Sequence, residues 1–154
     1  MRIKSFSGGI HPRARKEMTA FLPIERALPS SRMVWIPVTQ GGAPNSVLVQ
    51  VGDTVARGQL IAESEASMAV PVHASIAGVV RKIERHLVTG NREELCVCVE
   101  ADGSDRTDFM GLLDPFTCTR EEALARVRAA GIVGMGGAAF PSYVKLNPPK
   151  GAKI

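Results

Sequence analysis

Short β-branched runs separated by turn residues fill the middle of the chain, and they limit its fold more than any other feature of the sequence. Between residues 39 and 101, turn signals return every ~8–12 residues, a spacing typical of sandwiches and barrels. The 15 glycines and 10 prolines among 154 residues also disfavour a helical bundle. We therefore predict a mainly β domain with strands at 47–51, 60–62, 70–73, 78–83 and 95–100, and a further strand at 33–36 just before it.

The segments on either side of this domain have different patterns. Residues 1–38 are predicted to form an extended arm, because Gly8-Gly9 and four prolines prevent a long helix. Residues 102–118 are polar and turn-prone, which predicts a linker. The chain is thus predicted to have an arm, a β domain at 39–101, a linker, and a further segment at 119–154.

A helix at about 120–130 is predicted to open the segment 119–154. Thr119 and Glu122 have the spacing of a capping box, in which each side chain bonds the other residue's amide. Gly131 follows, and glycine is the residue that most readily takes the left-handed conformation that ends a helix. The change from strand to helix spacing marks the start of a different structural unit.

A glycine-rich segment follows this helix, with four glycines and two alanines in the nine residues from 131 to 139. Such bare backbone can approach a ligand closely and turn its amides toward phosphate oxygens. Pro141 suits the first position of a second helix running through Val144, whose N-terminus would favour an anion. Lys145 would add a full positive charge nearby.

Two better-known phosphate motifs do not fit this segment. The phosphate loop of nucleotide hydrolases needs Lys followed by Ser or Thr, where this chain has Gly137-Ala138. The dinucleotide fingerprint needs a preceding strand, where a helix is predicted here. Spacing alone therefore supports a ligand loop and a glycine-rich interdomain connection equally.

Charge and cysteine usage narrow the function classes. The net charge of +4 comes from scattered Lys and Arg residues without interleaved aromatics, which favours a solvated basic surface over nucleic-acid binding. Three cysteines argue against a disulfide framework, and the Cys-x₂-Cys spacing of iron–sulfur sites is absent. Cys96 and Cys98 are expected to be small, buried side chains.

The remaining residue patterns predict no catalytic or metal-ligating residue. His11, His73 and His86 are too dispersed for a metal site, and His73 is expected to be a hydrogen-bonded core or turn histidine. No apolar stretch approaches the ~20 residues that span a bilayer. The first residues lack a signal-peptide core, so we expect a cytoplasmic location.

The glycine-rich segment, taken with Phe140, Pro141 and Lys145, resembles the flavin loop of the NADH-oxidising subunit of respiratory complex I. It is also similar to the matching loop of the RnfC family, which belongs to the Rnf electron-transport complex. Three further stretches resemble RnfC and occur in that family's order, so that the resemblance covers most of the chain. They are Gly8-Gly9-Ile10-His11-Pro12, Val51-Gly52-Asp53-x-Val55-x-x-Gly58-Gln59 and Pro71-Val72-His73-Ala74-Ser75-x-x-Gly78-x-Val80.

The resemblance implies a fold and a biochemical setting. The fold is a barrel-sandwich hybrid domain of the biotinyl/lipoyl type, followed by the first helix and glycine loop of an α/β flavin domain. The setting is an ion-translocating complex on the inner face of the bacterial cell membrane, which passes electrons from NADH through FMN to iron–sulfur clusters. In that family, motifs beyond the region matched here hold the [4Fe–4S] clusters, so the chain alone is expected to be inactive. Its partners would be the other subunits.

The resemblance also implies cofactor contacts within the glycine loop. The chain departs from the family at Ala139, where Gly is frequent, and at Ser142, where Thr is usual. A methyl at position 139 would hinder close ligand approach. Flavin binding by this chain alone is expected to be weak or absent, because only part of the pocket is present. The implied contacts are Gly134, Gly136, Gly137 and Ala138 to flavin, Lys145 to its phosphate or ribityl chain, and Phe140 near the nicotinamide.

Two alternative functions use the β domain itself. Lipoyl and biotinyl carrier domains share its turn pattern but need a lysine at a hairpin tip, and residues 58–80 contain none. A docking module would instead hold a flavin domain against partner subunits without carrying a cofactor.

Overall fold

The computed structural model describes residues 15–25, 30–40, 42–136, 138–149 and 151. The predicted opening motif at Gly8–Pro12 and the predicted flavin contact Gly137 lie outside the described residues. Within them, the chain forms seven strands and two helices in the order β1–β7, α1, α2. The strands are β1 Met33–Pro37, β2 Ser46–Val47, β3 Thr54–Val55, β4 Leu60–Glu63, β5 Val72–His73, β6 Gly78–Val88 and β7 Arg92–Ala101.

Two antiparallel sheets make the β domain. The larger has the strand order β1-β7-β6-β3, and the smaller has the order β2-β4-β5. Side chains from both sheets meet in one core of small aliphatic residues, in which Val55, Ile61, Val80 and Val97 are fully buried. The β-branched runs therefore fold into two short sheets around a shared core, and the predicted mainly β domain is confirmed.

The outer face of β7 is buried as well. Trp35 lies opposite Cys98 in the register of β1 and β7, and its ring stacks on that of His86 with centroids 4.2 Å apart. Cys96 and Cys98 are fully buried on this face, and burial raises the pKa of both thiols. The prediction of small, buried cysteines is confirmed.

The segment after β7 packs against the turn that follows β3. The Arg57 amide donates to Arg106 O over 3.0 Å, and the Asp108 amide donates to Arg57 O over 2.9 Å. The Arg57 guanidinium lies 5.8 Å from the centroid of the Phe109 ring. At Gly58, φ is +92° and a Cβ would lie 2.4 Å from that ring, so only glycine permits this close approach. Residues 106–109 are thus tied to the β domain.

Helix α1 spans Arg120–Ala129 and begins as the sequence indicates. The Thr119 hydroxyl accepts from the Glu122 amide over 3.2 Å, and the Glu122 carboxylate accepts from the Thr119 amide over 2.7 Å. Gly131 has φ +66° just after the helix. The predicted capping box and left-handed stop are both confirmed. No helix among the described residues is long and apolar enough to cross a bilayer.

Several predicted bounds need correction. The run 47–51 is assigned to strand β2 only at Val47, because beyond Leu48, whose amide still donates to Ile61 O over 2.9 Å, the chain turns at Gly52 with φ +99°. The run 70–73 pairs only at Val72–His73, and no strand was predicted at the position of the short strand β3. Strands β6 and β7 extend beyond their predicted ends, because they pair with each other as a long hairpin.

The second helix is placed one residue later than predicted. Helix α2 spans Ser142–Lys145, and Pro141 precedes it as the capping residue with ψ 121° instead of being its first helical residue. Four residues make little more than one turn. The dipole of α2 is therefore small, so the anion attraction expected of its N-terminus is weak.

Candidate functional site

The glycine-rich segment forms a loop closed at its neck by backbone pairing. Val133 and Pro141 form an antiparallel bridge, and the Ser142 amide donates to Ile132 O over 3.0 Å. The Gly134 amide donates to Phe140 O over 2.9 Å. The two ends of the loop are thereby held together.

A cavity of about 340 Å³ lies between this loop and helix α2. Five of the six residues predicted to contact the cofactor line it together, namely Gly134, Gly136, Ala138, Phe140 and Lys145. Ala139 and Ser142 also line it, although neither was predicted as a contact. The hydroxyl of Ser142 could have been found from its place beside Pro141 and one helical turn before Lys145.

The two described glycines of the cavity have no steric reason to be glycine. A Cβ built on Gly134 would come no closer than 3.6 Å to another atom, and one on Gly136 would meet nothing within 4 Å. Neither residue is among those with positive φ. Packing within the described chain therefore does not require glycine at these two positions. A ligand lying against the backbone would require it, because a side chain would stand in its way.

The backbone of Ala139 is held in the left-handed region, with φ +44°. Only glycine takes this conformation without cost, because a Cβ crowds the following carbonyl. The resemblance also places glycine frequently at this position. The methyl group of Ala139 therefore lowers the stability of the folded chain and takes up space in the loop.

Among the described residues that line the cavity, Lys145 alone is charged. It is exposed at the end of α2, and Phe140 on the opposite side is 44% exposed. A positive charge, a hydroxyl, bare backbone and an accessible ring suit an anionic ligand that carries a planar group. The cavity is at the lower end of the size range for small-molecule sites, so it fits part of a dinucleotide-sized ligand.

A second cavity of about 450 Å³ separates α1 from strands β4 and β5. Its lining includes Glu63, His73 and Arg128. Burial lowers the pKa of His73, and Asp108 offsets part of that effect. His73 is partly buried, and no described residue hydrogen-bonds its ring, so the hydrogen bond expected of this histidine is not found among the described residues. Across the described residues, no three His, Cys, Asp or Glu side chains group to hold a metal ion.

The loop between β4 and β5 holds the place where a carrier domain would display its lysine. We call Ser64–Met68 the tip loop. Its sequence, Ser-Glu-Ala-Ser-Met, has no lysine. Its backbone instead accepts hydrogen bonds from the segment after the β domain, through Arg128 and Tyr143.

Comparison with known proteins agrees with this architecture. The sequence model described as the RnfC barrel sandwich hybrid domain matches residues 4–104. The chain is 43% identical over 157 residues to the C subunit of the proton-translocating ferredoxin:NAD(+) oxidoreductase complex of Clostridium ljungdahlii, covering 99% of this chain and 34% of that protein. It is 39% identical over 161 residues to the Na(+)-translocating counterpart of Acetobacterium woodii, covering 100% and 36%.

A third relative has a more general name and a greater length. The C subunit of the ion-translocating oxidoreductase complex of Pasteurella multocida is 36% identical over 150 residues, which are 95% of this chain and 18% of that protein. The chain thus spans about a third of the first two relatives and less than a fifth of the third. Because the matched residues include both sheets, the chain belongs to the RnfC barrel sandwich hybrid domain family.

Proposed function

We propose that the chain is the N-terminal part of a subunit that passes electrons from NADH through flavin to iron–sulfur clusters in a membrane-associated complex. One observation carries the proposal: five of the six residues predicted to contact the cofactors, Lys145 among them, line a single cavity. The relatives are named as subunits of ferredoxin:NAD(+) oxidoreductase complexes, which supports the same chemistry. The chain by itself would be non-catalytic.

The predicted contact residues would have three roles toward FMN and NADH. Gly134, Gly136, Gly137 and Ala138 would lie against the cofactor with their backbone, since no side chain stands in the way. Lys145 would neutralise the phosphate or contact the ribityl chain, and Phe140 would lie near the nicotinamide of NADH. The bound flavin supplies hydride acceptance and one-electron release, which the protein side chains cannot provide.

The surroundings of the subunit follow from the same proposal. The chain would sit on the cytoplasmic face of the membrane, attached to other subunits of the complex. The [4Fe–4S] clusters would be held by regions that the relatives have and this chain does not span. Flavin would bind this chain weakly, because a cavity of about 340 Å³ accommodates only part of FMN.

Nuclear magnetic resonance of the ¹⁵N-labelled chain tests the cofactor role. We expect millimolar FMN to shift the amides of residues 134–145, and riboflavin, which lacks the phosphate, to shift them less. Lys145→Gln should reduce the FMN effect, whereas Lys82→Gln on β6 should leave it intact. Shifts that avoid the loop, or that are equal for both flavins, would contradict the phosphate contact. Tight stoichiometric binding would show that the pocket is already complete.

A docking role is the second candidate, and it is compatible with the first. It rests on the hydrogen bonds that join the tip loop to Arg128 and Tyr143. Co-purification with the other subunits, with and without residues 39–101, tests it. Unchanged co-purification after the deletion would rule it out.

A further inference from the structure

We propose that the tip loop is a latch that holds the glycine-rich segment against the β domain, with Arg128 and Tyr143 as positioning residues. The latch is a structural contact in its own right. Its purpose, to orient the proposed FMN cavity, rests on the function proposed above. Nothing in the relatives' names assigns a role to this loop or to these two residues.

Arg128 makes the first half of the latch. Its guanidinium donates to Ser64 O over 3.3 Å and lies 3.9 Å from the Glu65 carboxylate. The same group lies 5.5 Å from the centroid of the Tyr143 ring, within the range of cation–π attraction. Arg128 therefore connects helix α1, the tip loop and helix α2 at one point.

Tyr143 makes the second half. Its hydroxyl donates to Ser67 O at the far end of the tip loop. Tyr143 lies on the single turn of α2, two residues before Lys145. Because so short a helix has little rigidity of its own, the tyrosine contact helps to fix where Lys145 stands relative to the β domain.

The stretch between the tip loop and strand β5 adds a third attachment, at Pro71. At Gly131, φ is +66° and a Cβ would lie 2.3 Å from Pro71 O, so the backbone there touches the β domain directly. The Gln40 amide group donates to the same carbonyl over 3.4 Å. The segment from α1 to α2 is thus held on both sides of the glycine-rich loop, by Gly131 before it and Tyr143 after it.

The sequence supports a latch over a carrier role for this loop. With no lysine between Gly58 and Val80, the loop cannot carry an amide-linked cofactor arm. Its backbone carbonyls at Ser64 and Ser67 are engaged by the adjoining segment instead. A loop that must be free to visit distant sites would not be tied down in this way.

Tyr143 is the only tyrosine and Trp35 the only tryptophan, so each gives a spectroscopic signal that can be assigned to one residue. In chain labelled with 3-fluorotyrosine, Arg128→Met should move the single ¹⁹F resonance toward its value in unfolded chain, and Arg128→Lys should restore most of the shift. Arg126→Met is the matched control, because Arg126 lies on the same helix but donates to Gly111 O over 2.5 Å. Unchanged Trp35 fluorescence would verify that the β domain stays folded.

Hydrogen exchange provides a second readout for Tyr143→Phe, which keeps the ring and removes the hydroxyl. The Lys145 and Leu146 amides, which donate to Pro141 O and Ser142 O, should exchange about tenfold faster. An equal ¹⁹F shift in Arg128→Met and Arg126→Met, or unchanged amide exchange in Tyr143→Phe, would overturn the latch. Both readouts are taken without flavin, so failure of FMN binding alone would instead count against the proposed function.

Discussion

The side chain of Asn45 joins two parts of the β domain that are distant in sequence. Its amide group is buried and donates to Val38 O and to Val70 O, each over 2.8 Å. Without these donors, two buried carbonyls would have no partner. A single polar residue in an otherwise aliphatic interior thus fixes how the chain before β2 meets the chain before β5.

Replacing this side chain should be costly. Asn45→Ala is expected to lower the free energy of unfolding by about 2–3 kcal/mol, because each unpaired buried carbonyl carries a desolvation penalty. Urea denaturation followed by Trp35 fluorescence measures the change. Gln50→Ala, at an exposed position, should change it by less than about 0.5 kcal/mol. Equal effects of the two substitutions would contradict the assigned role.

Ala139 and Ala129 should respond to glycine in opposite directions. Ala139→Gly is expected to raise the unfolding free energy by roughly 0.5–1 kcal/mol, because φ +44° strains any residue with a Cβ. Ala129→Gly should lower it by a similar amount, roughly 0.5–1 kcal/mol, since this residue lies in helix α1 without such strain and glycine there only gains unfolded-state freedom. Denaturant melts of both variants measure the two changes in unfolding free energy. Changes of the same sign would contradict backbone strain at Ala139.

His73 should make stability depend on pH near neutrality. Its pKa in the folded chain lies below the ordinary 6.5, so the unfolded chain binds the proton first as pH falls. The unfolding free energy should therefore be greatest above about pH 7.5 and decrease as pH falls from about 7.5 through 6.5, the ordinary pKa that His73 has in the unfolded chain. Denaturant midpoints across that range measure it. His73→Gln should flatten the slope, and an unaltered slope would show that another group is responsible.

Among the elements, helix α1 depends most on its cap. It has ten residues and none is buried, so packing contributes little to its stability. Thr119→Ala should lower the unfolding free energy by about 1 kcal/mol and weaken the protection of the first α1 amides. Hydrogen exchange and denaturant melts measure both effects. Thr117→Ala, just outside the cap, is the control, and an equal loss there would argue against the capping box.

The predictability of an element depended on whether local chemistry alone decides it. The α1 cap and Gly131 stop depend on neighbours in sequence, and both were found where predicted. Strands β2, β3 and β5 each contain only two residues, because the curled sheets pair over such short stretches. Apolar runs cannot show where pairing stops, so their bounds were missed. The long β6–β7 hairpin was underestimated because its outer half is polar.

The candidate site was predictable in composition and less so in shape. The residue types of the glycine-rich segment, and the resemblance built on them, predicted five of the seven described residues that line the cavity, whereas their contact with a cofactor stays a prediction. The latch was not predictable, since Arg128 and Tyr143 meet backbone carbonyls more than sixty residues away. Backbone acceptors leave no residue-type signal in the sequence.

At the scale of the whole molecule, a carrier function would require a covalently attached lipoyl or biotinyl group, and we expect none to be attached. Expression of the chain with lipoate or biotin and the matching ligases should yield only unmodified protein, because the tip loop offers no lysine. Intact-mass spectrometry measures this directly. A lipoyl or biotinyl adduct would restore the carrier function and weaken the interpretation of the tip loop as a latch.

The most direct test of the account is the cofactor content of a polypeptide that carries this chain within the full length of its relatives. Gly136 and Gly111 both have open space where a Cβ would stand, so valine at either position should leave the fold intact. We predict that the purified polypeptide holds stoichiometric FMN, that Gly136→Val loses most of it, and that Gly111→Val retains it. A polypeptide with neither flavin nor clusters, or full flavin retention in Gly136→Val, would contradict the claim that the glycine-rich loop lies against a phosphorylated flavin.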